Sequence, residues 1–170
     1  SEKMYDNLMN KFKFGGIDKP GIYIDENAMR MCYSHRRIFS QLVSQLIREG
    51  KNDKAKKALE YAEKMIPAYN VPYDWQNGAV QMAEAYYQLG ETEKADNIMK
   101  ALADKAVEYL TWYLSLDDKR FAMSSREIID YHLPILSAEV KLMQKYNSKQ
   151  ASVYDDKLNE LYQMCVDRMK

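Results

Sequence analysis

An all-α fold is predicted by three observations on this 170-residue sequence. Apolar residues recur at helical spacing through the middle of the chain, glycines and prolines punctuate those segments, and the pattern repeats every 40 residues. The repeat appears when "FSQLVSQLIREGKNDKAKKALEYAEKMIP" is set over "AVQMAEAYYQLGETEKADNIMKALADKAV". Gly50 then falls on Gly90, Ala55 on Ala95, Leu59 on Met99 and Ala62 on Leu102. Upstream, Leu42 meets Met82, Val43 meets Ala83 and Leu46 meets Tyr86.

Each element has a physical cause. The chain opens with a short predicted helix, about Lys3 to Phe12. "KFKFGGIDKPGIYIDEN" follows, with three of the six glycines and one of the four prolines. It has neither the strand before it nor the helix directly after it that would aim backbone amides at a phosphate, so it reads as a connector. Phe12, Phe14, Ile22 and Tyr23 are expected to pack it on the first hairpin. A long helix opens near Asp25, and Phe39, Leu42, Val43 and Leu46 give it one apolar face. Gly50 can take the left-handed conformation that ends this helix, and Asn52 is the expected cap of the next. Small Ala55 and Ala62 let two antiparallel helices approach closely, Leu59 fills between them, and Pro67 stops the second.

In the second copy Gly90 and Thr92 supply the same punctuation. Val107 replaces the closing proline, so that helix is expected to run on through Leu110 and Tyr113 to about Leu116. "YNVPYD" reads as a loop between the hairpins. Ser124 and Glu127 have capping-box spacing, predicting a helix to about Tyr146 with a kink near Pro134. The last helix is expected from about Lys149 to Met169, with Leu158, Leu161, Tyr162, Cys165 and Met169 on one face.

The pattern resembles the tetratricopeptide repeat, with its small and aromatic residues at fixed offsets and its closing proline. The resemblance implies a short right-handed helical solenoid: two recognisable hairpins and a degenerate closing one. Residues 1–24 are then a leading helix and connector packed on the repeat domain of residues 25–170. The second copy departs from the family at Leu102 and Val107, where alanine and proline are the rule.

Composition narrows the function. Apolar residues make up 46% and charged residues 29%, an ordinary folded balance. Lysine plus arginine equals aspartate plus glutamate at 25 each, without the basic excess a nucleic-acid binder needs to neutralise phosphates. No run approaches the roughly 20 apolar residues that span a bilayer. The opening "SEKMYDNLMN" has neither a signal-peptide pattern nor an initiator methionine, which points to a piece of something longer. The 14 tyrosines and 11 methionines suggest adaptable apolar surfaces, and self-association into a homodimer fits them.

No catalytic constellation emerges. The sequence lacks a nucleophile elbow, a phosphate loop with lysine and a dinucleotide fingerprint, so no enzyme and no cofactor is expected of this fragment. Cys32 and His35 in "CYSH" have ligand-type side chains, but no second pair exists to close a zinc site. Cys32 and Cys165 fall on apolar stripes as small hydrophobes, with a bridge between them left open for an exported domain. His132 reads as structural.

Two binding surfaces remain. Tetratricopeptide arrays line a concave face with the first helix of each hairpin. By register those positions are Arg37, Ser40, Ser44, Ile47 and Arg48, then Asn77, Val80, Glu84, Tyr87 and Gln88. Arginine, tyrosine and amides suit an extended polypeptide. The competing expectation is that the terminal helix fills the groove. The second surface is the aromatic loop material, Tyr69, Tyr73 and Trp75 with Tyr23, whose rings could stack on sugars or plug the loop.

"MYDNLMNKFKFGGIDKPGIYIDENAMRMCYSHRR", followed by "REGKNDKAKKALEYAEKMIPAYNVPYD", carries a narrower resemblance. It is similar to the carboxy-terminal region of a family of large bacterial membrane proteins. Their multi-spanning amino-terminal half is related to lipid-linked-sugar glycosyltransferases of the protein O-mannosyltransferase kind. The resemblance implies an extracytoplasmic tail on the periplasmic side, which binds or orients a polypeptide acceptor or partner. The acidic catalytic residues of that family belong to the membrane half, and none transfers here.

Overall fold

The computed structural model describes residues 1–169, which among themselves form helices and no strand. In chain order the helices are α1 (Glu2–Asp6), α2 (Glu26–Arg48), α3 (Asn52–Met65), α4 (Ala79–Gln88), α5 (Thr92–Ser115), α6 (Asp118–Glu127), α7 (Leu133–Lys145) and α8 (Ala151–Arg168). The chain divides into two compact units, Ser1–Ala95 and Asp96–Lys170, and α5 contributes to both.

In the first unit α2 packs against α3 and α4. Its 23 residues start at Asp25, whose carboxylate accepts from the amides of Asn27 (2.8 Å) and Ala28 (2.9 Å). Phe39, Leu42, Val43 and Leu46 are at most 1% exposed and meet a partner of small residues, Ala55, Ala58 and Ala62, around Leu59. Burial of each such large side chain is worth roughly 1.5–3 kcal/mol, so this stripe is the main adhesive of the hairpin.

The turn that closes the hairpin recurs 40 residues later with the same hydrogen bonds. The Gly50 amide donates to Ile47 O (2.9 Å) and the Lys51 amide to Leu46 O (2.9 Å). Gly90 likewise donates to Tyr87 O (3.0 Å) and Glu91 to Tyr86 O (2.9 Å). Gly50 and Gly90 take φ of 71° and 78°, the left-handed state that costs an L side chain about 1–2 kcal/mol. The third such turn, between α7 and α8, uses Asn147 (φ 54°), with Ser148 donating to Met143 O (2.9 Å).

Several expectations are corrected. The cap position of α3 is Lys51, and Asn52 is already its first helical residue, because the reversed turn leaves one residue between the glycine and the helix. Asn77 lies in the loop before α4. Tyr23 is 90% exposed and does not pack, and Ile22 is only partly covered. The connector is held upstream of them instead. Tyr69 Oη donates to Asp18 O (2.5 Å), and Asn70 Nδ2 to Ile17 O (2.7 Å) and Lys19 O (2.8 Å). Phe14 is buried as expected, with its ring near those of Phe39 and Tyr61.

In the second unit α7 packs against α8. The helix expected to open at Ser124 opens at Asp118, with Asp117 accepting from the Arg120 amide (3.1 Å). Ser124 is mid-helix and donates back to Arg120 O (2.9 Å), so its spacing to Glu127 caps nothing. The irregularity expected near Pro134 is a π-helical turn, Ile128–His132. Pro134 has no amide proton and its ring would clash with the carbonyl of Asp130, and a widened turn relieves both. On α8, Leu161 and Cys165 face the core, but Tyr162 is 55% exposed. Arg168 closes the far end of α5 by donating to Leu114 O (2.7 Å) and Leu116 O (3.0 Å). Cys32 and Cys165 are both free, buried thiols.

Candidate functional site

The residues predicted to line a groove lie on α2, on α4 and in the loop before it. Arg37 and Arg48 are exposed on α2, Ser44 and Ile47 are half-buried, and Ser44 Oγ donates to Ser40 O (2.9 Å). Ser40 is 2% exposed and does not face an open surface. The cause is Gly78, at φ 84°, where a Cβ would stand 2.8 Å from Arg37 Cα and 3.0 Å from Ser40 Oγ. That close approach seats the start of α4 on α2. On α4, Gln88 is exposed and Val80 and Glu84 are half-buried, whereas Tyr87 is 7% exposed. Asn77 Nδ2 donates to Asp74 Oδ1 (3.2 Å) and is spent on the loop. Of the predicted groove residues, Arg37, Arg48 and Gln88 are therefore exposed, and Ser44, Ile47, Val80 and Glu84 partly so.

Beside them lies a buried polar cluster that sequence reasoning missed. Arg36 is 1% exposed, and its guanidinium donates to Pro72 O (3.0 Å), Ile66 O (3.0 Å) and Val71 O (2.6 Å). The Tyr73 ring lies 5.0 Å and the Tyr33 ring 6.0 Å from its central carbon. Five donors in a planar fork explain why one arginine can gather three carbonyls. The Glu63 carboxylate accepts from Tyr86 Oη and from Tyr73 Oη (3.2 Å). Burial, then Glu63, pushes the Tyr86 phenol far above its ordinary range, and burial raises Tyr73 likewise. Both stay neutral donors. The only sequence signal was an arginine on the apolar side of α2, three residues before Phe39.

The loop aromatics do not form one platform. Tyr69 is 64% exposed but its hydroxyl holds the connector, Tyr73 is covered by Arg36 on one side, and Trp75 is half-buried. His35 Nδ1 bonds to Met31 O (2.7 Å), and burial raises the Cys32 thiol. No cluster of three or more His, Cys, Asp or Glu able to hold a metal exists among the described residues. No helix of the described residues is long and apolar enough to cross a membrane.

No family model matches the chain, and no curated protein or solved structure matches it either.

Proposed function

We propose that this chain is a non-catalytic interaction module of tetratricopeptide-like build, which binds an extended polypeptide across α2 and α4. The observation that carries the reading is the repeated reversal at Gly50 and Gly90, identical in its hydrogen bonds, combined with α2 contacting both its hairpin partner α3 and the next first helix α4. Stacked hairpins of this kind expose the first helices side by side, and the groups there suit peptide backbone and side-chain amides. Arg37 and Arg48 offer bidentate donors. The resemblance to the tail of protein O-mannosyltransferase-like membrane proteins supplies the setting: an extracytoplasmic domain beside a membrane-embedded half, with a polypeptide acceptor as its ligand.

The test is a titration of candidate acceptor peptides followed by backbone amide shifts. Shifts at Ser44, Arg48, Glu84 and Gln88 are expected, together with weakened binding in Arg48→Glu. Shifts confined to the outer side of α3, at Lys57, Glu60 and Lys64, would sink the reading.

A further inference from the structure

The connector before α2 is docked as a bound peptide would be. At Phe12 the backbone leaves the opening helical turns and becomes extended, with φ −77° and ψ 139°. Phe12 and Phe14, two residues apart, lie on one side of it with their ring centroids 5.1 Å apart. Both rings meet α2 at His35, Phe12 at 4.4 Å and Phe14 at 6.0 Å. Phe14 also reaches Phe39 on α2 and Tyr61 on α3, each at 6.1 Å. Farther along, the hydrogen bonds go to the connector's main chain. Tyr69 and Asn70 take the carbonyl oxygens of three successive residues, Ile17, Asp18 and Lys19. Such donors grip any main chain that offers carbonyls at those places. Side-chain anchors joined to main-chain bonds are what extended-peptide sites are built from.

The fit is incomplete. Phe12 is 42% exposed, and a recess of about 250 Å³ remains between the connector and the hairpin. Phe12, Phe14 and Ile17 line one side of it, and Met31, Cys32 and Ile66 the other. The α2–α3 stripe beneath leaves no such space, as close-packed interiors do not. A segment held by few buried contacts opens at lower cost than the framework it lies on. We propose that residues 12–19 are an autoinhibitory strap over a peptide site on α2 and α3, around Cys32, His35, Phe39 and Tyr61. Its outside ligand is an extended polypeptide with two aromatic side chains two residues apart, the chemistry of the segment now seated there. The tethered strap competes at high effective concentration, so the site stays closed until the strap is loosened. None of these residues belongs to the α2–α4 surface, so either reading can fail without the other.

Cys32, 3% exposed beneath the strap, reports its opening, and in a Cys165→Ala background it is the only thiol. Under a strap that opens and closes quickly, a maleimide labels it at the intrinsic rate times the open fraction. Labelling is expected to be faster than global unfolding allows and nearly flat in low urea. Phe14→Ala, which weakens the strap and leaves the site intact, should speed labelling by about tenfold or more. The capped peptide KFKFGGIDK, residues 11–19, added at about 5 mM, should slow it again. The same peptide carrying Phe12→Ala and Phe14→Ala should not. Phe12→Ala, at an exposed position, replaces Phe14→Ala in the protein if urea curves show that the latter does not fold. Labelling that rises with urea as steeply as unfolding does, or that neither variant speeds, overturns the strap. Equal protection by the two peptides, or protection by neither, overturns the site.

Discussion

Glu139 shows what a single residue can set. It lies on α7 at 1% exposure, and its Oε2 has no hydrogen-bond partner among the described residues. Burial alone raises its carboxyl from 4.5 to about 8. Tyr154, whose phenol feels the Glu139 charge, is spent elsewhere: its Oη donates to Asp104 Oδ1 (2.5 Å) and burial drives its proton affinity up. A folded value above the unfolded one means that the native state holds the proton more tightly. The stabilisation is complete below pH 4.5 and is lost as pH rises toward and through about 8. Within that window each pH unit costs up to about 1.4 kcal/mol. Urea midpoints should therefore fall from pH 5 to pH 9, and Glu139→Gln should flatten the decline and be the more stable protein at pH 9. Parallel curves would mean that the carboxyl is ionised at no cost. Arg36 is the opposite kind of residue, charged but satisfied. Arg36→Met leaves two buried carbonyls, Ile66 O and Val71 O, and the part-buried Pro72 O without this donor and is expected to cost about 3 kcal/mol, measured by the same method.

At the scale of the elements, the glycines separate two roles that look alike in sequence. Gly50 and Gly90 have nothing within 4 Å of an added Cβ, so alanine there meets only the left-handed strain, about 1 kcal/mol. At Gly78 the same change drives a methyl into the backbone of α2, 2.8 Å from Arg37 Cα. Gly78→Ala should cost at least about 3 kcal/mol in urea unfolding and shift the amides around Ser40, whereas Gly50→Ala should not. Equal losses at the three sites would show that α4 is not seated by this contact. Helices α2, α3 and α5 were legible in the sequence, because a long apolar stripe with a glycine turn at one end has few alternative readings. The start of α6 was not. Both Asp117 and Ser124 are competent caps, and only tertiary contacts of Phe121, which is 2% exposed, draw the earlier turn into helix. Ser40 and Tyr87 were misplaced for a related reason. Periodicity assigns a helix face, but the depth at which a neighbour covers that face depends on Gly78, a loop residue outside the period.

For the molecule as a whole, each compact unit carries one tryptophan, Trp75 in the first and Trp112 in the second. Because Glu139 belongs to the second unit, alkaline pH should weaken that unit selectively. Single-tryptophan variants unfolded in urea should give midpoints that diverge between pH 5 and pH 9, with Trp112 reporting the earlier transition; coincident midpoints at both pH values would mean one cooperative block. The architecture was readable as all-helical from the sequence, while the aromatic surface of α5 was not, since His132, Tyr113 and Trp112 come together only once the π-helical turn at Ile128–His132 is in place. The connector has a consequence in time. Its bonds from Tyr69 and Asn70 link residues 51 to 53 apart, whereas the turn bond from Lys51 to Leu46 closes five. Closing the longer loop costs about 2 kcal/mol more chain entropy. The Gly50 reversal can form early and locally, and the connector must wait for α2 and α3 to offer it a surface. Amide exchange should accordingly be faster at Lys19 than at Lys51, although both amides are hydrogen-bonded in the folded chain. The glycine-rich stretch near the start should then close after the hairpin it lies on and open before it.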